Sequence, residues 1–220
     1  MDVTKTTLDA LGEGKAPAHE TVVAALAMAA DADEVAWHPT GFLVARLAER
    51  GEQTLRLHIW PDGDRVYGEP LWPFHDHVFS LSSLVLAGAV GSQKVHVTDV
   101  EAGLGSRRRY AVDYGVGGRR SRLIACGGVV QTREGALRTT HPGAVYKIAA
   151  GEFHASSAAP NRLSATLVAT RTALSRRPFV LGPVAGRAAV DVRRASVHAA
   201  RWRSLVEQVQ RAWAAVVLPA

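Results

Sequence analysis

The sequence predicts an all-β domain, a jelly roll or small barrel, carried between helical ends. Two observations predict it. From Trp37 to about Arg171 short apolar segments alternate with turn signals, and the flanking segments lack that punctuation and carry helix formers or apolar residues at spacings of three and four. The expected organisation is a helical appendage over residues 1–36, a barrel over 37–180 and an amphipathic helix over 181–220, packed on the barrel or on a dimer mate.

At the start, Leu8 and Leu11 precede a Gly-Lys-Ala-Pro break, and residues 20–32 form an Ala-rich run of strong helix formers. Turn punctuation then falls at Gly51-Glu52, Pro61-Asp62-Gly63-Asp64, Gly117-Gly118, Gly127-Gly128 and His141-Pro142-Gly143. Between these breaks the expected strands are 41–47, 53–60, 80–89, 94–100, 110–114, 123–132, 144–148 and 163–170, a number that suits a jelly roll. In 55–60, Leu55, Leu57 and Ile59 share one face while Arg56, His58 and Trp60 share the other, which faces either the lumen or solvent. Residues 190–217 read as helical, with Val192, Ala195, Ala199, Trp202, Val206, Val209 and Trp213 on one stripe.

The chain has 220 residues with 26 Lys plus Arg, 20 Asp plus Glu, nine His and one Cys. No apolar run reaches the roughly 18 residues of a membrane span, and no secretory signal is read at the start. The lone Cys126 excludes an internal disulfide and a multi-thiolate metal site, is compatible with a cytoplasmic protein, and leaves His as the metal ligand to expect. The +6 charge is nearly all Arg. The Arg clusters at 107–109, at Arg119, Arg120 and Arg122, and at Arg193 and Arg194 lack interleaved aromatics, so they read as solvated faces and no nucleic-acid or membrane partner is expected.

Two groups of residues carry chemistry. In His75-Asp76-His77, strand alternation puts both imidazoles on one face and Asp76 on the other. Further on come Gly143, Ala149, Gly151 and His154. Together these resemble the two motifs of the cupins. Gly68, His75, His77 and Gly88 follow the first motif with one extra residue before His75, and Gly143, Gly151 and His154 follow the second, with Ala149 and Ala158 in place of its Pro and Asn.

The resemblance, over roughly 37–171, implies a double-stranded β-helix whose lumen holds one metal, with His75, His77 and His154 as ligands. The acid of the first motif would fall at Leu81 or Ser82, neither of which can serve, so a three-His face remains. Among cupins that face is similar to the one in thiol dioxygenases, where an Arg binds the substrate carboxylate; the matching position is Arg46. Two departures set this chain apart from a cysteine dioxygenase. The late-strand Ser-x-His-x-Tyr is replaced by 166–170, Thr-Leu-Val-Ala-Thr, and Ser82 stands where a crosslinked Cys would be.

The resemblance therefore implies a non-haem Fe(II) dioxygenase acting on a small anionic molecule, with dioxygen as co-substrate. Arg46 or Arg56 would hold a carboxylate, and His58 would line the pocket. The rival readings are a Zn, Mn or Ni isomerase, lyase or hydrolase, and a non-catalytic ligand-binding barrel. A homodimer is compatible with either. Tyr67 and Glu69, in the loop before His75, are possible neighbours of the metal, whereas Tyr146 and Cys126 read as packing residues.

Overall fold

The computed structural model describes residues 2–101, 103–115 and 120–217. The turn expected at Gly117-Gly118, and Arg119, lie outside the described residues. Two helices come first, α1 (Val3–Glu13) and α2 (His19–Ala30). Asp2 caps α1 by accepting the Lys5 N–H at 2.9 Å, and Gly14 ends it in the left-handed conformation, at φ 84°.

Twelve strands follow: β1 (Val35–His38), β2 (Phe42–Arg50), β3 (Gln53–Trp60), β4 (Phe79–Ala87), β5 (Val90–Asp99), β6 (Arg107–Tyr114), β7 (Arg120–Thr140), β8 (Val145–Ile148), β9 (His154–Ala158), β10 (Ser164–Thr172), β11 (Phe179–Gly182) and β12 (Ala189–Arg193). They form one sheet in the order β1-β2-β3-β10-β4-β8 and a second in the order β11-β6-β7-β5-β9, with β12 paired to β7. All of these pairings are antiparallel. This is an all-β jelly roll of two antiparallel sheets with flanking helices. The helix α3 (Ala199–Val217) closes the chain.

The alternation in β3 is resolved by a helical layer. Leu55, Leu57 and Ile59, all fully buried, join Leu84, Leu86 and Leu167 of the same sheet in a core that also holds Leu8 and Leu11 of α1, Leu26 of α2 and Trp202, Val206 and Val209 of α3. The apolar face thus packs outward under the helices. Arg56, His58 and Trp60 line a cavity between the sheets. Burying each such Leu is worth about 1.5–3 kcal/mol, and the Trp202 indole N–H adds a hydrogen bond to the Ala29 carbonyl at 2.7 Å. Among the described residues no helix is long and apolar enough to cross a membrane.

Three expectations are corrected. Gly127-Gly128 does not end a strand: both lie inside β7, where the register with β6 shifts between Arg108 and Arg109 and Gly127 takes φ 64°. A bulge absorbs the extra residues, so partners on both sides hold one strand together. Residues 190–193 are strand, not helix, because Val190 and Val192 alternate at period two and pair with Leu123 and Ser121; α3 starts at Ala199. The short strands β1, β9, β11 and β12 were not anticipated, since four or five residues carry too little pattern.

Gly88 adopts φ 64°, and a Cβ there would lie 2.3 Å from the Leu163 carbonyl oxygen. Gly88→Ala is expected to destabilise the protein by about 1–3 kcal/mol, read as a lower denaturation midpoint with an unchanged m-value.

Candidate metal centre

His75 lies between named strands, yet its backbone is paired on both sides. It forms isolated antiparallel bridges to His154 of β9 and to Val180 of β11, the two ends of the second sheet's strand order. The His75 N–H donates to the His154 carbonyl at 3.1 Å and the His154 N–H donates back to His75 at 2.9 Å. Directly opposed residues on antiparallel backbones project to the same side. His77 follows on that side two residues later, and its carbonyl accepts the Gly151 N–H at 2.8 Å.

Asp76 projects the other way, with a fully buried side chain. One carboxylate oxygen accepts from the Phe179 N–H at 2.6 Å and the other from Arg176 Nη2 at 2.5 Å. The segment carrying both histidines is therefore clamped from behind by a buried, charge-assisted contact.

The potential ligand nitrogens of His75, His77 and His154 all lie within 4.8 Å of one another. His75 Nδ1 lies 2.9 Å from the Pro73 carbonyl oxygen, and His154 Nδ1 lies 3.0 Å from that of Glu152. A carbonyl only accepts, so each Nδ1 carries the proton and each Nε2 keeps a lone pair. That arrangement suits metal ligation, in which the outer ring nitrogen is tied to a carbonyl. His77 is oriented by stacking on Phe79, 4.5 Å between ring centroids.

All three rings stay neutral. Burial pushes His75 down to about 3, with the neighbouring His154 adding to the effect; burial also depresses His77 and His154. The residues present fit a divalent ion. Among the described residues no carboxylate joins them: Leu81 lines the cavity, while Ser82 is not among the lining residues.

The cavity holds about 470 Å³. Arg56 and His58 line it. Burial lowers Arg56 to about 10, the adjacent Arg46 charge adding to that, and lowers His58 to about 3. Arg56 has its guanidinium carbon 4.8 Å above Phe79, and among the described residues it has no hydrogen bond or ion pair. Arg46 also lines the cavity, but its guanidinium is held by Glu49 at 2.6 Å.

Tyr67 and Glu69 are both exposed and do not line the cavity, whereas Tyr146, read as packing, does. Cys126 is half-buried on β7. Sequence reasoning missed two residues in the wall. His38 sits on β1, its ring 5.6 Å from His75, and Arg194, read as solvated, follows β12. His-Pro-Thr at the end of a four-residue strand carried no signal that could have found the first.

Neither a family model nor a curated protein matches this chain. Among solved structures, the DMSP lyase DddQ from Ruegeria pomeroyi DSS-3 aligns at 17% identity over 63% of this chain and 50% of its own, with TM-score 0.33. A structure of the DMSP lyases RdDddP and RnDddQII aligns at 14% identity over 62% and 51%, also at 0.33. A cupin superfamily protein from Desulfitobacterium hafniense DCB-2 aligns at 14% identity over 61% and 80%, at 0.31. The aligned region spans about half the length of the two lyases, and their activity remains a property of those proteins.

Unfolded histidine titrates near 6.5, so below that pH the unfolded chain binds more protons than a fold that keeps His58 and His75 neutral down to about 3. The metal-free protein is expected to lose stability as pH falls from about 6.5 to 5, by roughly 1.4 kcal/mol per unit for each such histidine. Urea unfolding across that window should show a shallower slope for His58→Asn than for wild type. Parallel slopes would contradict the neutral burial of His58.

Proposed function

We propose that this chain is a metal-dependent enzyme acting on a small anionic molecule, and that it is a non-haem Fe(II) dioxygenase. The observation that carries the reading is one cavity faced by three imidazoles, a cluster that among the described residues includes no carboxylate, and by the Arg56 guanidinium, which has no ion pair among those residues. Neutral ligands leave the full charge of a divalent ion uncompensated, which favours an anionic substrate with oxygen, nitrogen or sulfur donors.

His75, His77 and His154 would hold the ion, which when bound would supply Lewis acidity and redox chemistry with dioxygen. The chain's own residues divide the remaining work. Arg56 binds the anionic group through a bidentate contact, and the ring of Phe79 keeps its guanidinium in place. Arg46 lines the same wall, but its pairing with Glu49 largely offsets its charge. Phe42, Trp60 and Phe79 provide apolar walls that limit water around the reacting group. Burial raises the Tyr146 hydroxyl above its ordinary value, so it keeps its proton at neutral pH and acts as a hydrogen-bond donor.

Tyr146 also favours a second reading, a Zn, Mn or Ni lyase, isomerase or hydrolase. A proton-holding hydroxyl in the same cavity as a Lewis acid can serve proton transfer without dioxygen.

Metal analysis of the purified protein combined with an oxygen electrode separates the readings. About one iron per chain with substrate-dependent oxygen uptake supports the dioxygenase. Zinc, manganese or nickel without uptake supports the second reading, and absence of any stoichiometric metal contradicts both. His154→Ala is expected to lower metal content to background in a protein that remains folded by circular dichroism.

A further inference from the structure

We infer that Arg194 and His38 form a second anion subsite in the same cavity, so that the substrate is a small dianion. This rests on the metal-enzyme reading above and names its substrate class. Arg194 and His38 border both the main cavity and an adjoining side pocket of about 70 Å³, the two spaces also sharing His75, His77 and Tyr114. Arg194 has no ion pair or hydrogen bond among the described residues, its Nε is buried without a partner, and its guanidinium carbon lies 5.8 Å from the centre of the Tyr114 ring.

The tautomer of His38 is fixed by its neighbour. The Thr40 backbone N–H donates to His38 Nδ1 at 3.3 Å, and Thr40 Oγ1 lies 2.7 Å from the same atom. Nδ1 is therefore an acceptor, and in the neutral ring the proton sits on Nε2. His38 thus differs from His75 and His154, which keep their lone pairs at Nε2: it offers an N–H donor where they offer ligand atoms. A guanidinium and a neutral N–H donor beside each other suit a carboxylate or a phosphate.

Two separate cationic points flank the histidine triad. Arg56 reaches it through the stack of Phe79 on His77, and Arg194 stands with His38 near His75. Among the described residues, acidic groups do not cancel these charges. Asp76 borders the side pocket, but its oxygens are engaged by Arg176 and Phe179; Glu49 holds Arg46; Glu34 is exposed at the rim. One anionic group on Arg56 leaves Arg194 unmatched, and a second on the same molecule satisfies it.

The test is calorimetric titration of the purified protein, at its measured metal content, with malonate, succinate, glutarate and adipate. Each is compared with the monocarboxylate of equal chain length, and 3-phosphonopropionate serves as a phosphate-like arm. At least one dianion is expected to bind about tenfold or more tightly than its monoanion. A preference for the phosphonate assigns that end to a phosphate, and a preference for a dicarboxylate assigns it to a carboxylate. Arg194→Gln should remove the preference by weakening dianion binding, and Arg194→Lys should restore part of it. His38→Phe, which removes the Nε2–H donor, should weaken the preference with Arg194 intact, and thermal melting confirms that each variant folds. Equal binding of dianions and monoanions by wild type, or an undiminished preference in Arg194→Gln, overturns the subsite. Preference retained in protein without metal would sink the metal-enzyme reading and leave the subsite standing; bound metal without preference would do the reverse.

Discussion

The site depends on one reciprocal backbone contact, the pair of hydrogen bonds between His75 and His154. Their positions are far apart in sequence, and nothing local would bring their rings together. Antiparallel pairing does, because opposed residues share a face. The same short segment also pairs with β11, so the residue that aims an imidazole inward links both ends of the second sheet's strand order. Fold closure and site geometry are set by one stretch of chain. A change that loosened this segment would disturb both.

Charge is distributed to suit that constraint. The only acid within the His-x-His segment, Asp76, faces away from the cavity and is satisfied by Arg176 and the Phe179 amide. The cavity side keeps the imidazoles of His75 and His154, whose outer nitrogens are tied to carbonyls, together with Arg56 and Arg194, which have no ion pair among the described residues. Burial of the histidines favours their uncharged form, which is the form able to offer lone pairs. The unpaired arginines carry a cost that a bound anion would relieve.

Much of this was legible in the sequence where the signal is periodic or motif-like. Alternation in 53–60 gave both faces of β3, although it left open which side met solvent; the helices supply the answer by covering the Leu and Ile face. The spacing of His75, His77 and His154 with glycines at Gly88, Gly143 and Gly151 marked the triad, and all three glycines take positive φ. What stayed hidden depends on long-range pairing in short segments. β1 brings His38 into the wall through its pairing with β2, and β12 places Arg194 there through β7. Gly127-Gly128 reads as a turn locally, yet β5, β6 and β12 hold β7 as one strand.

The central claim is that the three histidines hold one divalent ion without a protein carboxylate. Anomalous diffraction from crystals of the metal-loaded protein, collected on both sides of the metal's absorption edge, tests it most directly. A single peak about 2.0–2.2 Å from the Nε2 atoms of His75 and His154 and from a His77 ring nitrogen, with no Asp or Glu oxygen at that distance, is the predicted result. A peak elsewhere, a carboxylate ligand, or no peak in metal-saturated crystals would contradict it.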